Sequence, residues 1–117
     1  MKKIGILRCA HANEVCTGAG CLNAFFRRTD TFSRYGEDTV LTAFMACHGC
    51  GEERPQEPGE DAGILEKLDR LEAEGVDTIH VGACRFQKNH QECSRLETIC
   101  RMMEERGIEI VKGTHRE

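Results

Sequence analysis

Four short aliphatic runs, separated by longer charged stretches, are the feature that most restricts how this chain can fold. The runs cover residues 3–8, 39–46, 78–83 and 108–112, and they are rich in Ile, Val and Leu. Runs of this length, bounded by glycine or by charged residues, predict strands that are buried on both faces. Such strands are typical of parallel sheets, which helices cover on each side.

Amphipathic stretches between the runs predict three helices, each followed by a glycine of the kind that ends helices. The predicted helices are 21–35, 61–74 and 90–106, and the glycines are Gly36, Gly75 and Gly107. The order βαβαβαβ implies a parallel sheet with right-handed crossovers. We therefore predict a single α/β domain over residues 1–117, with a Rossmann- or flavodoxin-like three-layer fold. Strand order 2-1-3-4 is predicted only from its frequency among such folds.

Charge and hydropathy narrow the classes of partner. The net charge is −4 and no basic run exceeds two residues, which argues against a nucleic-acid partner. The apolar run from Ile4 to Leu7 is interrupted by Arg8, so it is shorter than the core of a secretory signal. No run approaches the length of a membrane-spanning helix. We therefore expect a cytoplasmic protein with reduced cysteines and no membrane partner.

Cysteine is the unusual component, with eight residues in a chain of 117. Cys9 follows the first predicted strand, Cys47 and Cys50 follow the second, and Cys84 follows the third. His115 comes three residues after the fourth. Because the carboxyl ends of parallel strands meet at one edge of a sheet, and ligands bind at that edge, these side chains are expected to lie close together.

Three further cysteines are predicted to reach the same edge. Cys16 lies in the loop after the first strand, Cys21 begins the first predicted helix, and Cys93 lies in the first turn of the third. Cys100, one heptad after Cys93, falls in the apolar stripe of that helix and is assigned to the core. Seven of the eight cysteines are thus expected on one side of the domain.

Thiolates converging in a reducing compartment predict a metal site. Zinc is favoured, since Cys and His sites hold it most often, and an iron–sulfur cluster is the second choice. The predicted ligands are Cys9, Cys16, Cys21, Cys47, Cys50, Cys84, Cys93 and His115. Seven thiolates exceed the four ligands of one zinc ion, so two ions, a cluster or another role for some cysteines are all open.

Two catalytic alternatives compete with this prediction. Cys47 and Cys50 have the spacing of a thiol–disulfide oxidoreductase, but the Pro- and Gly-containing loop 49–60 does not resemble the helix that such a motif opens. A cysteine-dependent phosphatase needs an arginine six residues after its cysteine, and none stands there after Cys9, Cys47 or Cys84. Whether the protein is an enzyme is left open.

The segments KKIGILRC, YGEDTVLTAFMACHGC, DTIHVGAC and IVKGTH occur in that order along the chain. In order and spacing they resemble the CGGC-domain family, small proteins regarded as metal binders because of their Cys and His content. The resemblance covers essentially the whole chain and implies a metal-binding function. The signature Cys-Gly-Gly-Cys is Cys47-His48-Gly49-Cys50 here, which adds an imidazole. The roles of His48, and of His80 within the third strand, are left open.

Overall fold

The computed structural model of the chain describes residues 2–50 and 55–115. The strands are β1 (Lys3–Arg8), β2 (Val40–Ala46), β3 (Thr78–Val81) and β4 (Glu109–Lys112). The α-helices are α1 (Ala19–Arg27), α2 (Ala62–Glu74) and α3 (Ser94–Glu105). The strands pair in parallel in the order β2-β1-β3-β4, which confirms the predicted α/β fold and strand order.

The two faces of the sheet carry separate apolar clusters. Along the inner strand β1, Ile4 and Ile6 pack with Phe25 of α1, whereas Leu7 packs on the opposite face with Leu68 of α2 and with α3. These side chains are almost fully buried, and each contributes about 1.5–3 kcal/mol to folding. The result is three layers, with β1 and β3 as the inner strands.

Gly5 lies where side chains from both neighbouring strands pack directly against the backbone of β1. A Cβ atom at this position would lie 2.7 Å from Ile79 Cδ1 and 3.0 Å from Ala43 Cβ. Side chains of β3 and β2 thus occupy the space that any larger residue would need. A glycine in a strand interior often has this meaning.

The predicted helix 21–35 is wrong at its carboxyl end. Helix α1 stops at Arg28, which takes a left-handed conformation (φ 55°, ψ 49°), and a 3₁₀ turn follows at Asp30–Arg34. The Arg28 guanidinium donates hydrogen bonds to the carbonyl oxygens of Phe25, Gly36 and Thr39. The Arg28 side chain therefore satisfies carbonyl oxygens at the end of the helix and in the chain beyond it. Gly36, the predicted end of the helix, does not terminate it.

The third helix begins later than the predicted residue 90. Phe86 and Glu92 form an antiparallel bridge, and His90 has a positive φ of 65°, so the segment before α3 is a tight turn. Cys93 becomes the residue that precedes the helix. Similarly, β3 ends at Val81, and Ala83–Arg85 forms a 3₁₀ turn that contains Cys84.

The second helix agrees with the prediction. Asp61 precedes it and accepts hydrogen bonds from the amides of Gly63 and Ile64, as an N-cap residue does. Gly75 ends it in a left-handed conformation (φ 76°). Within the described ranges, no helix has the length and apolar content needed to cross a bilayer.

His80 belongs to the buried hydrogen-bond network of the core. Its side chain is fully buried and packs on the ring of Phe32, with the ring centroids 4.4 Å apart. Tyr35 Oη lies 2.6 Å from Nε2, and the carbonyl oxygen of Gly113 lies 2.8 Å from Nδ1. The neutral ring with its proton on Nδ1 satisfies both contacts, donating to Gly113 and accepting from Tyr35.

Burial lowers the pKa of His80 below its ordinary value. The hydrogen bond to Gly113 opposes this effect. Among the surrounding charges, Arg34 and Lys2 lower the pKa further and Glu109 raises it. The folded protein therefore holds this histidine neutral at a pH where an unfolded chain would already protonate it.

We predict that stability falls as the solution becomes mildly acidic. The unfolded chain binds a proton at His80 near pH 6.5, whereas the folded chain binds it only at lower pH. The free energy of unfolding should therefore decrease below about pH 6.5, by at most about 1.4 kcal/mol per pH unit. Urea titrations between pH 7.5 and 5.5 measure this slope.

An NMR titration of the His80 ring in the wild-type protein tests the same prediction directly. The His80 resonances should shift with a midpoint below 6.5, the value for an unperturbed ring. A His80→Gln variant has no ionisable ring and should lose the corresponding slope. A midpoint at or above the ordinary value would contradict the assignment of His80 as a neutral core residue.

Candidate metal centre

Four of the predicted thiol ligands line one cleft at the carboxyl edge of the sheet. The cleft has a volume of about 510 Å³, and Cys9, Cys50, Cys84 and Cys93 contribute to its wall. Cys9 directly follows β1, Cys50 lies beyond β2, Cys84 sits in the turn after β3, and Cys93 precedes α3. The parallel topology thus brings together cysteines that lie far apart in the sequence.

Backbone amides after β1 are directed at two of the sulfur atoms. The Cys9 amide donates a hydrogen bond to Cys84 Sγ at 3.2 Å, and the Ala10 amide donates one to Cys47 Sγ at 3.3 Å. Cys47 is buried against the α2 and α3 side of the core, immediately behind the cleft. Hydrogen bonds from amides favour the thiolate form of cysteine, which is the form that binds metals.

Burial raises the pKa of the Cys84 thiol. The hydrogen bond from the Cys9 amide opposes this rise, while the negative charges of the Cys9 and Cys21 thiolates add to it. Neighbouring thiolates at this edge therefore repel one another. A bound cation would remove that repulsion and hold the thiols in their ionised form.

Cys21 and His115 form a separate pair on the α1 side of the same edge. Cys21 Sγ lies 3.7 Å from His115 Nδ1 and 3.1 Å from Thr114 Oγ1. With Zn–S near 2.3 Å and Zn–N near 2.0–2.1 Å, two ligands of a tetrahedral zinc ion are about 3.6 Å apart. The observed separation fits this spacing.

The His115 ring packs directly on the backbone of α1. A Cβ atom at Gly20 would lie 2.5 Å from His115 Nε2. Glycine in a helix costs roughly 0.5–1 kcal/mol relative to alanine. Because Gly20 has no side chain, the imidazole ring of His115 has room to lie beside Cys21.

Cys16 is not among the residues that line the cleft. Its side chain is exposed in the loop between β1 and α1, and the Gly18 amide donates a hydrogen bond to its sulfur at 3.3 Å. That hydrogen bond lowers the pKa of the Cys16 thiol, against the effect of burial, and the Arg8 guanidinium lowers it further. Cys16 therefore lies outside the group of predicted ligands that line the cleft.

Cys100 lies in the core, as predicted. It is 7% exposed within α3, and burial raises the pKa of its thiol to about 11. A thiol in this environment is protonated and unreactive at neutral pH.

His48 has a partner that the sequence analysis did not identify. Its Nδ1 lies 2.8 Å from Asp61 Oδ2, while Asp61 Oδ1 accepts the amides of Gly63 and Ile64. Burial raises the pKa of Asp61, but the hydrogen bonds from His48, Ile64 and Gly63 outweigh it and hold the pKa below its ordinary value. The bond ties the Cys47–Cys50 segment to the start of α2.

Gly63 is what leaves room for this imidazole. A Cβ atom at Gly63 would lie 2.5 Å from His48 Cε1. The only indication of this contact in the sequence was Asp61 with Gly63 at the start of a predicted helix. Its link to a histidine 13 residues earlier requires the folded chain.

The cysteines converge on one edge without being gathered around one point. Within residues 2–50 and 55–115, no group of three or more Cys, His, Asp or Glu side chains has the arrangement needed to hold a metal ion. Their chemistry nevertheless fits a soft cation, because four thiol donors line the cleft and backbone amides are directed at the sulfurs of Cys84 in its wall and of Cys47.

Comparison with known proteins agrees with the resemblance in the sequence. The family model described as the CGGC domain matches residues 3–115, nearly the whole chain. No curated protein and no solved structure matches the chain.

We predict that Gly20→Ala separates His115 from Cys21 without unfolding the protein. The new methyl group meets the end of the His115 side chain, which can rotate away, while alanine stabilises α1 by up to about 1 kcal/mol. The melting temperature should therefore be unchanged or higher, and the imidazole NMR signals of His115 should shift.

Gly59→Ala is the matched control, because a Cβ atom there has no atom within 4 Å. It should leave the His115 signals unchanged. Unshifted His115 signals in Gly20→Ala would show that the ring does not pack as described.

Proposed function

Because this chain belongs to the CGGC-domain family, we propose that it binds metal through thiolates at the carboxyl edge of its sheet. The single observation that carries this proposal is the cleft lined by Cys9, Cys50, Cys84 and Cys93. Four thiolates are a complete ligand set for one zinc ion or one iron–sulfur cluster. When bound, the metal would supply positive charge that neutralises these thiolates.

Zinc is favoured over an iron–sulfur cluster in this proposal. Cys21 and His115 have the mixed sulfur and nitrogen donors, and the 3.7 Å spacing, that suit zinc. The negative charges of the Cys9 and Cys21 thiolates both raise the pKa of the Cys84 thiol, which lines the cleft. We therefore assign the cleft thiols as one ligand group and Cys21 with His115 as the start of a second.

Cys47 and Cys16 have different places in the proposal. Cys47 is buried behind the cleft, and its sulfur accepts the Ala10 amide, so we retain it as a ligand that binds after rotation or as support for Cys50. Cys16 is left out of the ligand groups. We also propose a cytoplasmic location. All eight cysteines are free thiols, and cysteines stay reduced mainly in that compartment.

Metal analysis of protein purified without air tests this function. We expect at least one metal ion per chain, and Cys84→Ser should reduce metal affinity by more than about tenfold because it removes one of the four thiol ligands of the cleft. Cys100→Ser is the control and should keep its metal, since Cys100 is buried outside the cleft.

Absorption spectroscopy identifies the metal in the same samples. Colourless protein with stoichiometric zinc would support the zinc assignment, whereas visible charge-transfer bands with iron and sulfide would assign a cluster. Protein that is fully folded, metal-free and unable to take up either metal would contradict the proposal.

Thiol–disulfide exchange at Cys47 and Cys50 is the alternative function. Redox Cys-x-x-Cys motifs gain reactivity from a helix N-terminus at the motif. Residues 47–50 are irregular here, and α2 begins only at Ala62. Cys47 is also 8% exposed, which limits its access to a protein disulfide. The metal function is therefore better supported.

We predict that this pair has little oxidoreductase activity. Reduction of a model protein disulfide should be no faster than with a small dithiol, and Cys47→Ser or Cys50→Ser should change that rate little. Rapid exchange that is lost in either variant would favour the alternative, and a measured reduction potential for the pair would then place it among redox proteins.

A further inference from the structure

The cysteine motif that follows β2 is fixed at its first residue by contacts with the chain after β1. The Cys47 amide donates to the carbonyl oxygen of Arg8 at 3.0 Å, and the Cys47 sulfur accepts the Ala10 amide at 3.3 Å. Gly49 then takes a positive φ of 92°, and Cys50 reaches the wall of the cleft. The whole motif is irregular, so the ladder of a strand does not extend to Cys50.

The side chain between the two cysteines is anchored to α2. His48 Nδ1 lies 2.8 Å from Asp61 Oδ2. Because a carboxylate only accepts hydrogen bonds, Nδ1 carries the proton and donates it. Asp61 is 7% exposed, and its other oxygen accepts the amides of Gly63 and Ile64 at the start of the helix. The acceptor is therefore held in place by a helix, and hydrogen bonds to an ionised group are the stronger kind.

This anchor is absent from the signature of the family. Cys-Gly-Gly-Cys has glycine where this chain has His48, and glycine offers no side chain to bond Asp61. Glycine also has the largest conformational freedom of any residue, which in an irregular segment leaves the chain loosely held. A Cβ atom at Gly63 would lie 2.5 Å from His48 Cε1, so the start of α2 has room for the imidazole ring.

We propose that His48 is a positioning residue that holds Cys50 at the wall of the cleft, ready to bind metal. It acts through its hydrogen bond to Asp61, which ties the motif to α2 two residues before Cys50. A thiolate that is already in place loses less conformational freedom when it binds, so the metal affinity is higher. The effect on affinity rests on the proposed metal function, whereas the placement of Cys50 is a property of the metal-free protein.

Zinc affinity and the alkylation of Cys50 by iodoacetamide measure these two effects in the full-length protein. His48→Gly, which restores the signature of the family, should lower zinc affinity by about tenfold, as loss of a group that orients a ligand does. In the metal-free variant Cys50 should be alkylated faster than in the wild type, with the rate at Cys84 unchanged. Unchanged affinity together with an unchanged rate at Cys50 would overturn the proposal.

Two further variants distinguish positioning from a general loss of stability. His48→Asn places an amide nitrogen near the position of Nδ1, so it should keep the affinity and the Cys50 rate of the wild type. Asp61→Ser keeps a residue suited to the N-cap but is too short to reach the ring, so it should behave like His48→Gly. Affinities and rates that simply follow the melting temperature across these variants would contradict a positioning role.

If His48→Gly does not fold, Gly63→Ala provides the same test. The new methyl group meets the imidazole ring and displaces it, while alanine favours the helix. Cys50 should again be alkylated faster and zinc bound more weakly, at an unchanged or higher melting temperature. Gly59→Ala, whose Cβ atom has no atom within 4 Å, is the control. Wild-type protein that binds no zinc would contradict the metal function alone, because the alkylation rates still test the role of His48.

Discussion

Parallel pairing of β1 with β2 and β3 is the constraint on which the rest of this structure depends. The backbone ladder continues past the strands: the Cys47 amide bonds the Arg8 carbonyl at 3.0 Å, and the Gly82 amide bonds the Leu7 carbonyl at 3.1 Å. Residues that follow different strands are therefore fixed at one edge by main-chain hydrogen bonds. Their thiols come together whatever the neighbouring side chains do, and the amides of Cys9 and Ala10 are left to reach sulfur atoms.

Charge balance distinguishes two arginines at this edge. Arg85 is nearly buried after β3, and its Nε lies 3.0 Å from a carboxylate oxygen of Glu92, which also pairs with Lys112. The carboxylate compensates the buried guanidinium and fixes the turn before α3. Arg8 is equally buried after β1, where its Nη2 donates a hydrogen bond to the carbonyl oxygen of Cys16 at 3.0 Å and its guanidinium lies 4.9 Å from the centre of the Phe44 ring. Arg85 is therefore held by a carboxylate, whereas Arg8 is held by a carbonyl oxygen and an aromatic ring.

Much of the candidate site was predictable because it depends on strand ends. Cys9, Cys50 and Cys84 were placed at one edge from the position of apolar runs alone, and they line the same cleft. The end of α1 was not predictable, because Arg28 binds the carbonyl oxygens of Gly36 and Thr39, which lie 8 and 11 residues further along the chain. The pairing of His48 with Asp61 has the same origin.

Hydrophobic periodicity and chain connectivity are properties of local segments, and they were enough to predict the layers and the edge at which cysteines collect. The strand order was predicted from its frequency in such folds, and the structure has that order. The folded chain then divided those cysteines among different environments. It separated the cleft thiols from Cys21 and His115, left Cys16 exposed beside Arg8, and buried Cys100 in the core. The physical reason is that hydrogen bonding, burial and counter-charge act through space, between residues whose distance along the chain carries no information about contact.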